Sequence, residues 1–264
     1  MTGRTVIVTG ASSGIGEATA RAFAKAGDRV VLTARRADRL ERLAAELRES
    51  LVIPADLTDP GDITRIIVET LDRYESIDVL VNNAGRGRYD WLERLSGDDI
   101  RTEIEVNLLA PILLARAVLP SMLARRRGVI INVASIAARI GTPITSVYNA
   151  TKFGLSGFGE ALFRELHPRG VEVCTLYPGF VSGTEFGKQP RVSVPVKTPK
   201  WLRLTTERVA DEIVKLADRP RPRRIVPWMV SPIATVNILF PGVVDAVVMR
   251  AARRVRPVQR SAPS

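Results

Sequence analysis

The sequence predicts an α/β fold: a doubly wound parallel sheet in a single domain, followed by a C-terminal apolar and basic extension. The first observation is that short apolar runs alternate with longer stretches of helical periodicity over most of the chain. The second is that these runs are continuous and rich in β-branched residues, which is typical of parallel strands covered by helices on both faces. Because crossover connections are right-handed, we expect the ligand crevice at the carboxyl ends of the strands.

Six strands and seven helices follow from this alternation. The strands are expected at residues 5–9, 29–33, 51–53, 78–81, 128–133 and 171–176. The helices are expected at about residues 15–26, 62–74, 98–109, 111–126, 146–166 and 207–218, with a charged helix ending near residue 49. Thr205 or Thr206 is expected to be the N-cap of the 207–218 helix.

The composition is that of a globular chain with one core. Its 264 residues are 45% hydrophobic and 25% charged, within the range of a single α/β domain. Cys174 is the only cysteine, so no intrachain disulfide can form, and with a single histidine no metal site is predicted. The strand-like run that follows Met1 leaves no room for a signal peptide, and we expect a cytoplasmic protein.

Most of the net charge of +11 lies near the C-terminus. Residues 219–264 contain nine arginines, no lysine and one acid, Asp245. We therefore predict a core domain over residues 1–218, with a mobile substrate loop at about 183–205, and an extension over 219–264. Nucleic acid is not an expected partner, because the basic stretches lack interleaved aromatic residues that would stack on bases.

Residues 225–244 carry no charge, although arginines flank them. This is about the length of a membrane span, but Pro227, Pro232 and Pro241 interrupt it. Three interpretations remain open: a substrate lid or core element, an interfacial patch on an anionic membrane, and a true span. The first two both suggest a large, apolar substrate.

A glycine-rich turn joins the first strand to the first helix. The segment Thr9–Gly16 carries glycines at Gly10, Gly14 and Gly16. Such glycines let the backbone approach a pyrophosphate, whose charge is stabilised by the free N–H groups of a helix N-terminus. The spacing is G-x-x-x-G-x-G rather than the common G-x-G-x-x-G, and a tight turn without a ligand is the alternative.

The end of the second strand bears on the choice of nucleotide. NAD-selecting sites usually have a carboxylate there that binds the ribose 2′-hydroxyl, whereas this chain has Ala34 followed by Arg35 and Arg36. A guanidinium offers a planar donor fork that suits a 2′-phosphate. We therefore predict NADP(H); the alternative is a solvated arginine pair at the start of a helix.

Two further strand ends fit the same ligand. Asp56 and Leu57 follow the third strand and offer a carboxylate and a backbone N–H to an adenine. The segment Asn82–Gly85 follows the fourth strand and offers small and amide residues where a ribose or nicotinamide would pass. Taken alone, each of these segments fits ordinary loop chemistry better than a binding site.

Tyr148 and Lys152 are four residues apart and are expected on one face of a helix. Alcohol oxidation requires a base that removes the hydroxyl proton as hydride leaves, and carbonyl reduction requires the same group as an acid. A free phenol has a pKa of about 10, which an adjacent ammonium and an oxidised nicotinamide would lower. Ser135 ends the fifth strand and offers a hydroxyl to the substrate oxygen, and Asn107 offers a link to Lys152.

In order and approximate spacing, these segments resemble the short-chain dehydrogenase/reductase family. The resemblance rests on Thr9–Gly16, Asn82–Gly85, Asn107, Ser135, Tyr148-x-x-x-Lys152 and Pro178-Gly179, and it extends over about residues 4–185. It implies a Rossmann-like fold, with Tyr148 as general acid/base, Lys152 lowering its pKa and holding the ribose, Ser135 orienting the substrate oxygen and Asn107 supporting a proton relay. It also implies homo-oligomers, dimers or tetramers, formed through the long helices at about 98–126 and 146–166.

The resemblance also implies a set of nucleotide-binding residues. These are Gly10, Ser12, Ser13, Gly14, Ile15 and Gly16 at the pyrophosphate, Arg35 and Arg36 at the 2′-phosphate, Asp56 and Leu57 at adenine, Asn83, Ala84 and Gly85 along the ribose, and Pro178, Gly179, Val181 and Thr184 at the nicotinamide, together with Tyr148 and Lys152 of the catalytic pair. The chain departs from the family pattern at one point: Gly183 stands where a hydroxyl residue often holds the carboxamide. Ser182 and Thr184 are its neighbours, and Thr184 is the residue we predict.

The function that follows is NADP(H)-dependent hydride transfer on an alcohol/carbonyl pair of a lipophilic substrate. Reduction of a carrier-bound 3-oxoacyl group is an alternative within the same fold, because a basic surface would dock an acidic carrier. A non-catalytic nucleotide sensor or scaffold is an alternative of another class. Together with a lipophilic substrate, we expect peripheral contact between the C-terminal extension and a membrane.

Overall fold

The computed structural model describes residues 3–184, 192–193, 202–253 and 256–257. Its centre is a seven-stranded parallel sheet in the order β10-β6-β5-β4-β1-β2-β3. These strands are β1 Thr5–Thr9, β2 Arg29–Ala34, β3 Ser50–Pro54, β4 Val79–Asn82, β5 Gly128–Val133, β6 Val171–Pro178 and β10 Arg223–Val226. Four two-residue strands lie outside the sheet: β7 Phe180–Val181 pairs with β9 Arg203–Leu204, and β8 Val192–Ser193 pairs with β11 Arg256–Pro257.

Nine α-helices lie within the described ranges. They are α1 Gly14–Lys25, α2 Ala37–Glu46, α3 Pro60–Tyr74, α4 Gly97–Ile104, α5 Ala110–Ala124, α6 Ser146–Leu166, α7 Thr206–Asp218, α8 Ser231–Leu239 and α9 Pro241–Ala252. Polar side chains accept hydrogen bonds from the first turns of three of them: Asp59 caps α3, Ser96 caps α4 and Thr205 caps α7. Of the two candidate caps for the last predicted helix, Thr205 is therefore the one that acts.

The doubly wound parallel fold predicted from the sequence is confirmed. Apolar side chains alternate across β1, so that Val6 and Val8 pack on one face of the sheet and Ile7 on the other. The first face is covered by α1, α2 and α7, and the second by α3, α5 and α6. This two-layer core fixes the carboxyl ends of the strands along one edge.

The sheet continues past residue 218, where we predicted that the core domain ends. Strand β10 pairs in parallel with β6, from Arg223 opposite Thr175 to Val226 opposite Pro178. No clear strand pattern is visible in this segment of the sequence, because the run is only four residues long and begins with two arginines. An edge strand needs to bury only part of its length, so this pattern is tolerated. The predicted substrate loop at 183–205 lies largely outside the described residues.

The remainder of the extension packs little against the core. Helices α8 and α9 are bent against each other by 111°, so they do not form one straight membrane span. Asn237 of α8 donates a hydrogen bond to the carbonyl oxygen of Arg139 at 3.2 Å, and this links α8 to the loop after β5. Exposed apolar side chains remain along both helices, among them Trp228 at 72% and Ile238 at 75% just before and within α8.

The helical segment Gly97–Ala124 is long and apolar enough to cross a membrane by length and composition alone. Its side chains Leu114, Val118 and Met122 are buried in the core against α3. A core helix of a globular protein passes the same test, and these contacts account for the apolar character of the segment.

Candidate active site

The glycine-rich turn lies at the carboxyl end of β1 and leads into α1. Gly10 and Gly14 have positive φ angles of 68° and 58°, a backbone conformation that favours glycine. A Cβ atom at Gly16 would stand 2.2 Å from the carbonyl oxygen of Gly10, so a side chain there would displace the turn. The side chain of Ser13, the N-cap of α1, makes no capping hydrogen bond. The turn therefore leaves a helix N-terminus suited to an anion.

Hydrogen bonds tie this turn to the end of β4. The hydroxyl of Thr9 accepts from the backbone N–H groups of Asn83 and Ala84, both at 2.9 Å. The side-chain amide of Asn83 donates to the carbonyl oxygen of Thr9 at 2.8 Å. Asn83, predicted along the ribose, thus also holds the two central strand ends together.

The two arginines after β2 differ in their surroundings. Arg36 donates hydrogen bonds to the hydroxyl oxygens of Ser12, at 3.0 Å, and Ser13, at 2.9 Å, both in the glycine-rich turn. Arg35 is exposed to solvent beside it. Arg36 is therefore the guanidinium that contacts the predicted pyrophosphate turn, although the resemblance names Arg35 first.

Tyr148 and Lys152 lie on one face of α6, with the Lys152 Nζ 5.7 Å from the centre of the Tyr148 ring. Lys152 is 4% exposed and donates a hydrogen bond to the carbonyl oxygen of Val133 at 3.0 Å. Because Val133 is the last residue of β5, this bond fixes the ammonium at the carboxyl edge of the sheet. Tyr148 is half-buried.

Ser135 follows β5 and lies beside the Tyr148 phenol. Its hydroxyl oxygen accepts from the backbone N–H of Ala137 at 3.1 Å, which fixes the side chain at the start of a short 3₁₀ turn. It also forms a hydrogen bond with the side chain of Tyr148. The two hydroxyl groups are thus adjacent, as a shared substrate oxygen would require.

The electrostatics of the pair differ from the sequence-based expectation. Burial raises the pKa of Tyr148; the hydrogen bond from Ser135 opposes this, and the charges of Tyr89 and Glu103 add to it. Burial lowers the pKa of Lys152 to about 8, and Glu103 acts in the opposite direction. Without a nucleotide, the phenol is therefore a weaker acid than a free tyrosine. The reason is that desolvation of the phenolate outweighs the hydrogen bond from Ser135.

Asn107 lies in a π-helical turn, Glu105–Leu109, between α4 and α5. Pro111 lacks the N–H that would bond to the Asn107 carbonyl in a regular helix, which accounts for the irregular turn. The Asn107 side chain is fully buried; it accepts from the N–H of Arg86 and donates to its carbonyl oxygen, both at 2.8 Å. It also donates to the hydroxyl of Thr151 at 3.2 Å, which connects it to α6.

The adenine and nicotinamide candidates line the same edge. The Asp56 carboxylate accepts from the N–H and hydroxyl of Thr58, and Leu57 is buried in the core. Gly179 donates its N–H to the carbonyl oxygen of Val226 at 2.8 Å, directly after Pro178 ends β6.

Thr184 is the residue that we predicted to hold the carboxamide of the nicotinamide. A Cβ atom at Gly14 would lie 3.5 Å from a methyl carbon of Thr184, so this side chain stands beside the glycine-rich turn. The hydroxyl of Ser182 instead donates to the carbonyl oxygen of Leu204, and Val181 pairs with the same residue in the short β7–β9 ladder. Thr184 is thus the better placed of the two hydroxyl neighbours of Gly183.

Glu103 and Tyr89 are site residues that sequence reasoning missed. Glu103 of α4 is fully buried, and burial raises its pKa to about 7, while the N–H of Arg88 opposes the shift. Burial also raises the pKa of Tyr89, and Glu103 adds to that shift. The one sequence signal was the spacing of Asp99, Glu103 and Asn107 at intervals of four, which places polar groups on one helix face.

This arrangement combines a helix N-terminus for a phosphate with a phenol, an ammonium and a hydroxyl at the same sheet edge. Such a set can bind a dinucleotide and exchange a proton with a substrate oxygen. Among the described residues, no group of three or more histidines, cysteines or acids could hold a metal ion.

Comparison with known proteins gives the family. A family model described as short chain dehydrogenase matches residues 4–192. A dehydrogenase/reductase SDR family protein 7-like from Anopheles gambiae is 36% identical over 192 residues, which cover 69% of this chain and 60% of that relative. The match thus spans less than two thirds of that relative. A 3-oxoacyl-(acyl-carrier-protein) reductase from Synechocystis sp. is 37% identical over 187 residues, covering 69% of this chain and 76% of the relative.

Solved structures agree with this assignment. A short-chain dehydrogenase from Streptomyces avermitilis is 29% identical with a TM-score of 0.81, covering 96% of this chain and 98% of that one. A metagenomic short-chain oxidoreductase in complex with NADP is 32% identical with a TM-score of 0.74, covering 86% and 97%. A 3-ketoacyl-(acyl-carrier-protein) reductase from Brucella melitensis complexed with NADH is 28% identical with a TM-score of 0.77, covering 85% and 96%. Sequence and structure together show that this chain belongs to the short-chain dehydrogenase/reductase family.

Proposed function

We propose that the chain is an NADP(H)-dependent oxidoreductase that transfers hydride between the nicotinamide and an alcohol/carbonyl pair on a lipophilic substrate. The observation that carries the proposal is the convergence of Tyr148, Ser135 and Lys152 at the carboxyl edge of the sheet, beside the glycine-rich turn. A module that only binds nucleotide has no need of a half-buried phenol beside an ammonium and a hydroxyl.

The turn and its surroundings fit a dinucleotide with a 2′-phosphate. A Cβ atom would stand 2.9 Å from Ala84 at Gly10 and 2.2 Å from the Gly10 carbonyl oxygen at Gly16, so these glycines keep the turn compact. The N-terminus of α1 favours the charge of a pyrophosphate bound there. Arg36 is fixed beside Ser12 and Ser13, and no carboxylate ends β2. One structural neighbour holds NADP, another 5-hydroxy-NADP and a third NADH, so likeness and these arginines both favour NADP(H).

Proton transfer is assigned to the chain's own residues. Bound NADPH would supply the hydride, and its oxidised form would accept one in the reverse direction. The Tyr148 hydroxyl donates its proton to the carbonyl oxygen of the substrate in reduction. The Ser135 hydroxyl, whose oxygen already accepts from Ala137, keeps its own proton to donate to the same substrate oxygen. Lys152, held by the Val133 carbonyl, supports the charge that develops on the phenol.

The test is a screen of NADPH oxidation against carbonyl compounds graded by chain length and ring size. We expect turnover that rises with apolar size, because uncharged residues of the extension lie near the site through the Asn237–Arg139 contact. Protein that binds NADPH yet turns over none of the panel would favour the sensor or scaffold instead.

Reduction of a carrier-bound 3-oxoacyl group is the second candidate. The similarity to the Synechocystis enzyme and the net charge of +11 favour it, since acyl carriers are acidic partners. Reduction rates with a free thioester analogue and with the same acyl group attached to the carrier distinguish the two candidate functions. A strong preference for the carrier-bound form, lost at high salt, would support this candidate.

Replacing Arg36 by alanine is expected to raise the KM for NADPH about 10- to 100-fold and to leave the KM for NADH unchanged. The reason is that one charge-assisted contact to the 2′-phosphate contributes about 1.5–3 kcal/mol. Arg42→Ala is the matched control, because this exposed arginine on α2 pairs only locally with Asp38. NADP(H) selection would be contradicted if the wild-type protein preferred NADH and if this preference were unchanged in both Arg35→Ala and Arg36→Ala.

We further propose that α8 and α9 touch anionic lipid. Large apolar side chains on them are more than half exposed, including Ile238, Phe240 and Val247, and Arg250 and Arg253 follow at the end of α9. Apolar side chains next to arginines are typical of helices that lie in a bilayer interface.

Phe240→Asp is therefore expected to lower binding to anionic vesicles by tenfold or more, because burial of an aromatic side chain contributes about 1.5–3 kcal/mol. Co-sedimentation with vesicles of anionic and of zwitterionic lipid measures the effect. Val68→Asp, which adds the same charge at a half-exposed position of α3, is the control. Wild-type protein that fails to sediment with anionic vesicles would remove the lipid proposal and favour a lid.

A homo-oligomer is also proposed. The long helices α4–α5 and α6 carry exposed apolar side chains, namely Ile104, Leu109 and Phe153, each more than 40% exposed. These are the helices that the family resemblance assigns to the subunit interface. Measurement of the molar mass in solution tests it.

A further inference from the structure

The side chain of Asn149 holds the loop that joins Ser135 to Tyr148. Asn149 lies near the start of α6 and is 6% exposed. Its amide nitrogen donates hydrogen bonds to the carbonyl oxygens of Ala137, at 2.8 Å, and Ile140, at 3.0 Å. The donor side of this amide therefore binds the part of the loop that directly follows Ser135.

The oxygen of the same amide binds the end of the loop. It accepts hydrogen bonds from the hydroxyl of Thr145 at 2.7 Å and from the backbone N–H of Thr142 at 3.2 Å. Between these two residues, Ile144 has a φ angle of 64°, a left-handed conformation that β-branched residues rarely adopt. The N–H of Asp90 donates to the Ile144 carbonyl oxygen at 3.0 Å. Both N–H groups and the oxygen of the Asn149 amide are thus used to hold an unusual backbone path.

The donor side of Asn149 is one residue away from the Ser135 hydroxyl. Ala137, whose carbonyl oxygen accepts from Asn149, donates its own N–H to the hydroxyl oxygen of Ser135 at 3.1 Å. This pair of hydrogen bonds encloses the short 3₁₀ turn Ile136–Ala138, against which α6 packs. Because Asn149 follows Tyr148 in the chain, the same helical turn carries the phenol and the amide that restrains Ser135.

We propose that Asn149 is a positioning residue, which sets the place of the Ser135 hydroxyl relative to the Tyr148 phenol. This inference rests on the proposed function. The amide of Asn149 bonds to the loop, and it acts on the substrate oxygen only through Ala137 and Ser135. A loop without this restraint would let the Ser135 hydroxyl move away from the phenol, and a displacement of about 1 Å can lower a rate about 100-fold.

Asn149→Ala is expected to lower kcat about 10- to 100-fold for a carbonyl compound that the wild type reduces, because the Ser135 hydroxyl is then misplaced. The KM for NADPH should not change, since the glycine-rich turn and Arg36 are untouched. Thr70→Val is the control. It removes a buried hydroxyl that donates to the carbonyl oxygen of Ile66 within α3, and it should leave kcat unchanged.

Asn149→Asp is a milder variant, for the case that the alanine variant does not fold. It keeps an oxygen that can accept from Thr142 and Thr145, but it lacks the N–H groups that bind Ala137 and Ile140. Since the donor side is the one that leads to Ser135, kcat should fall in this variant as well. A wild-type kcat in Asn149→Asp would contradict the proposed route through Ala137.

A double-mutant cycle with Ser135→Ala separates positioning from a general loss of structure. If Asn149 acts through Ser135, Asn149→Ala should have little further effect on kcat once the hydroxyl is absent, so the two effects are not additive. A residue that only stabilises the fold would lower kcat by the same factor in both backgrounds. An equal factor would therefore overturn the proposal.

Hydrogen exchange of the protein without nucleotide gives a readout that does not need turnover. In Asn149→Ala, the amide of Ala137 should exchange about tenfold faster relative to the amides of β5, because local opening of the loop becomes easier. Thr70→Val should leave this ratio unchanged. An unchanged ratio in Asn149→Ala would also overturn the proposal. Absence of all turnover in the wild type would instead remove the proposed function and leave the exchange measurement intact.

Discussion

Tyr148→Phe is expected to lower kcat by about 10²- to 10⁴-fold, the range that a positioned general acid contributes. The substitution removes one hydroxyl and leaves the ring beside Lys152. Because Ser135 remains bonded to the N–H of Ala137, the rest of the site should keep its geometry. NADPH binding should persist, since the substitution leaves the glycine-rich turn, Arg36 and Lys152 in place. Fluorescence titration of NADPH and steady-state rates measure the two properties separately.

The control for this variant is Tyr74→Phe. Tyr74 ends α3 on the far side of the core, and its hydroxyl is buried without a partner among the described residues. The same deletion there should leave turnover unchanged and the free energy of unfolding within about 1 kcal/mol. Tyr148→Phe protein with turnover within tenfold of the wild type would show that another group supplies the proton.

The fold was predictable to a large extent because its strands are buried on both faces. The predicted strands 5–9 and 128–133 and the helix 146–166 have the observed bounds. Burial on both faces makes a strand continuously apolar, and that pattern is readable without tertiary information. Strand β10 was missed for the opposite reason, because it lies at the sheet edge and its arginines face solvent in part. Only its pairing with β6 makes this segment a strand.

The geometry of the Tyr148–Lys152 pair was predictable from the sequence, whereas its electrostatics were not. Spacing alone placed Tyr148 and Lys152 on one face of a helix, and the structure has them there. From the sequence we expected the Lys152 ammonium to lower the pKa of the Tyr148 phenol. In the structure, burial raises the pKa of Tyr148 instead. Desolvation depends on everything packed around a group, and the charges of residues distant in sequence, such as Tyr89, raise the pKa of Tyr148 further. The cation of an oxidised nicotinamide is the second charge that we expected to lower the pKa of Tyr148. That effect stays a prediction.

The burial of Glu103 was likewise not predictable from the sequence. A glutamate on a charged helix is solvated in most proteins, so nothing in the sequence marks this one as buried. Its neighbours Arg101 and Ile104 are exposed on the same helix. Only the four-residue spacing to Asn107 was visible. The packing of α4 against α6 buries the helix face on which Glu103 and Asn107 lie.

The buried carboxyl should make stability depend on pH in a recognisable way. The pKa of Glu103 is raised from 4.5 to about 7 in the folded chain. In the unfolded chain the carboxyl ionises near its ordinary pKa, so ionisation favours unfolding as pH rises between these two values. The stability associated with the protonated carboxyl is therefore fully present below about pH 4.5 and is lost through about pH 7. A shift of about 2.5 units corresponds to roughly 3 kcal/mol.

Glu103→Gln removes this ionisation and should stabilise the protein by up to roughly 3 kcal/mol at about pH 8, with little effect at about pH 5. Urea unfolding of both proteins across this range measures the difference, in which the pH dependence of all other groups cancels. Glu105→Gln is the control, because it removes the same charge at a part-exposed position of the adjacent π-helical turn. If the Glu103→Gln difference were constant with pH, the carboxyl would be ionised at its ordinary pKa. The positive charges around it would then compensate its burial fully, and the wild-type protein would lose no stability by burying this carboxylate.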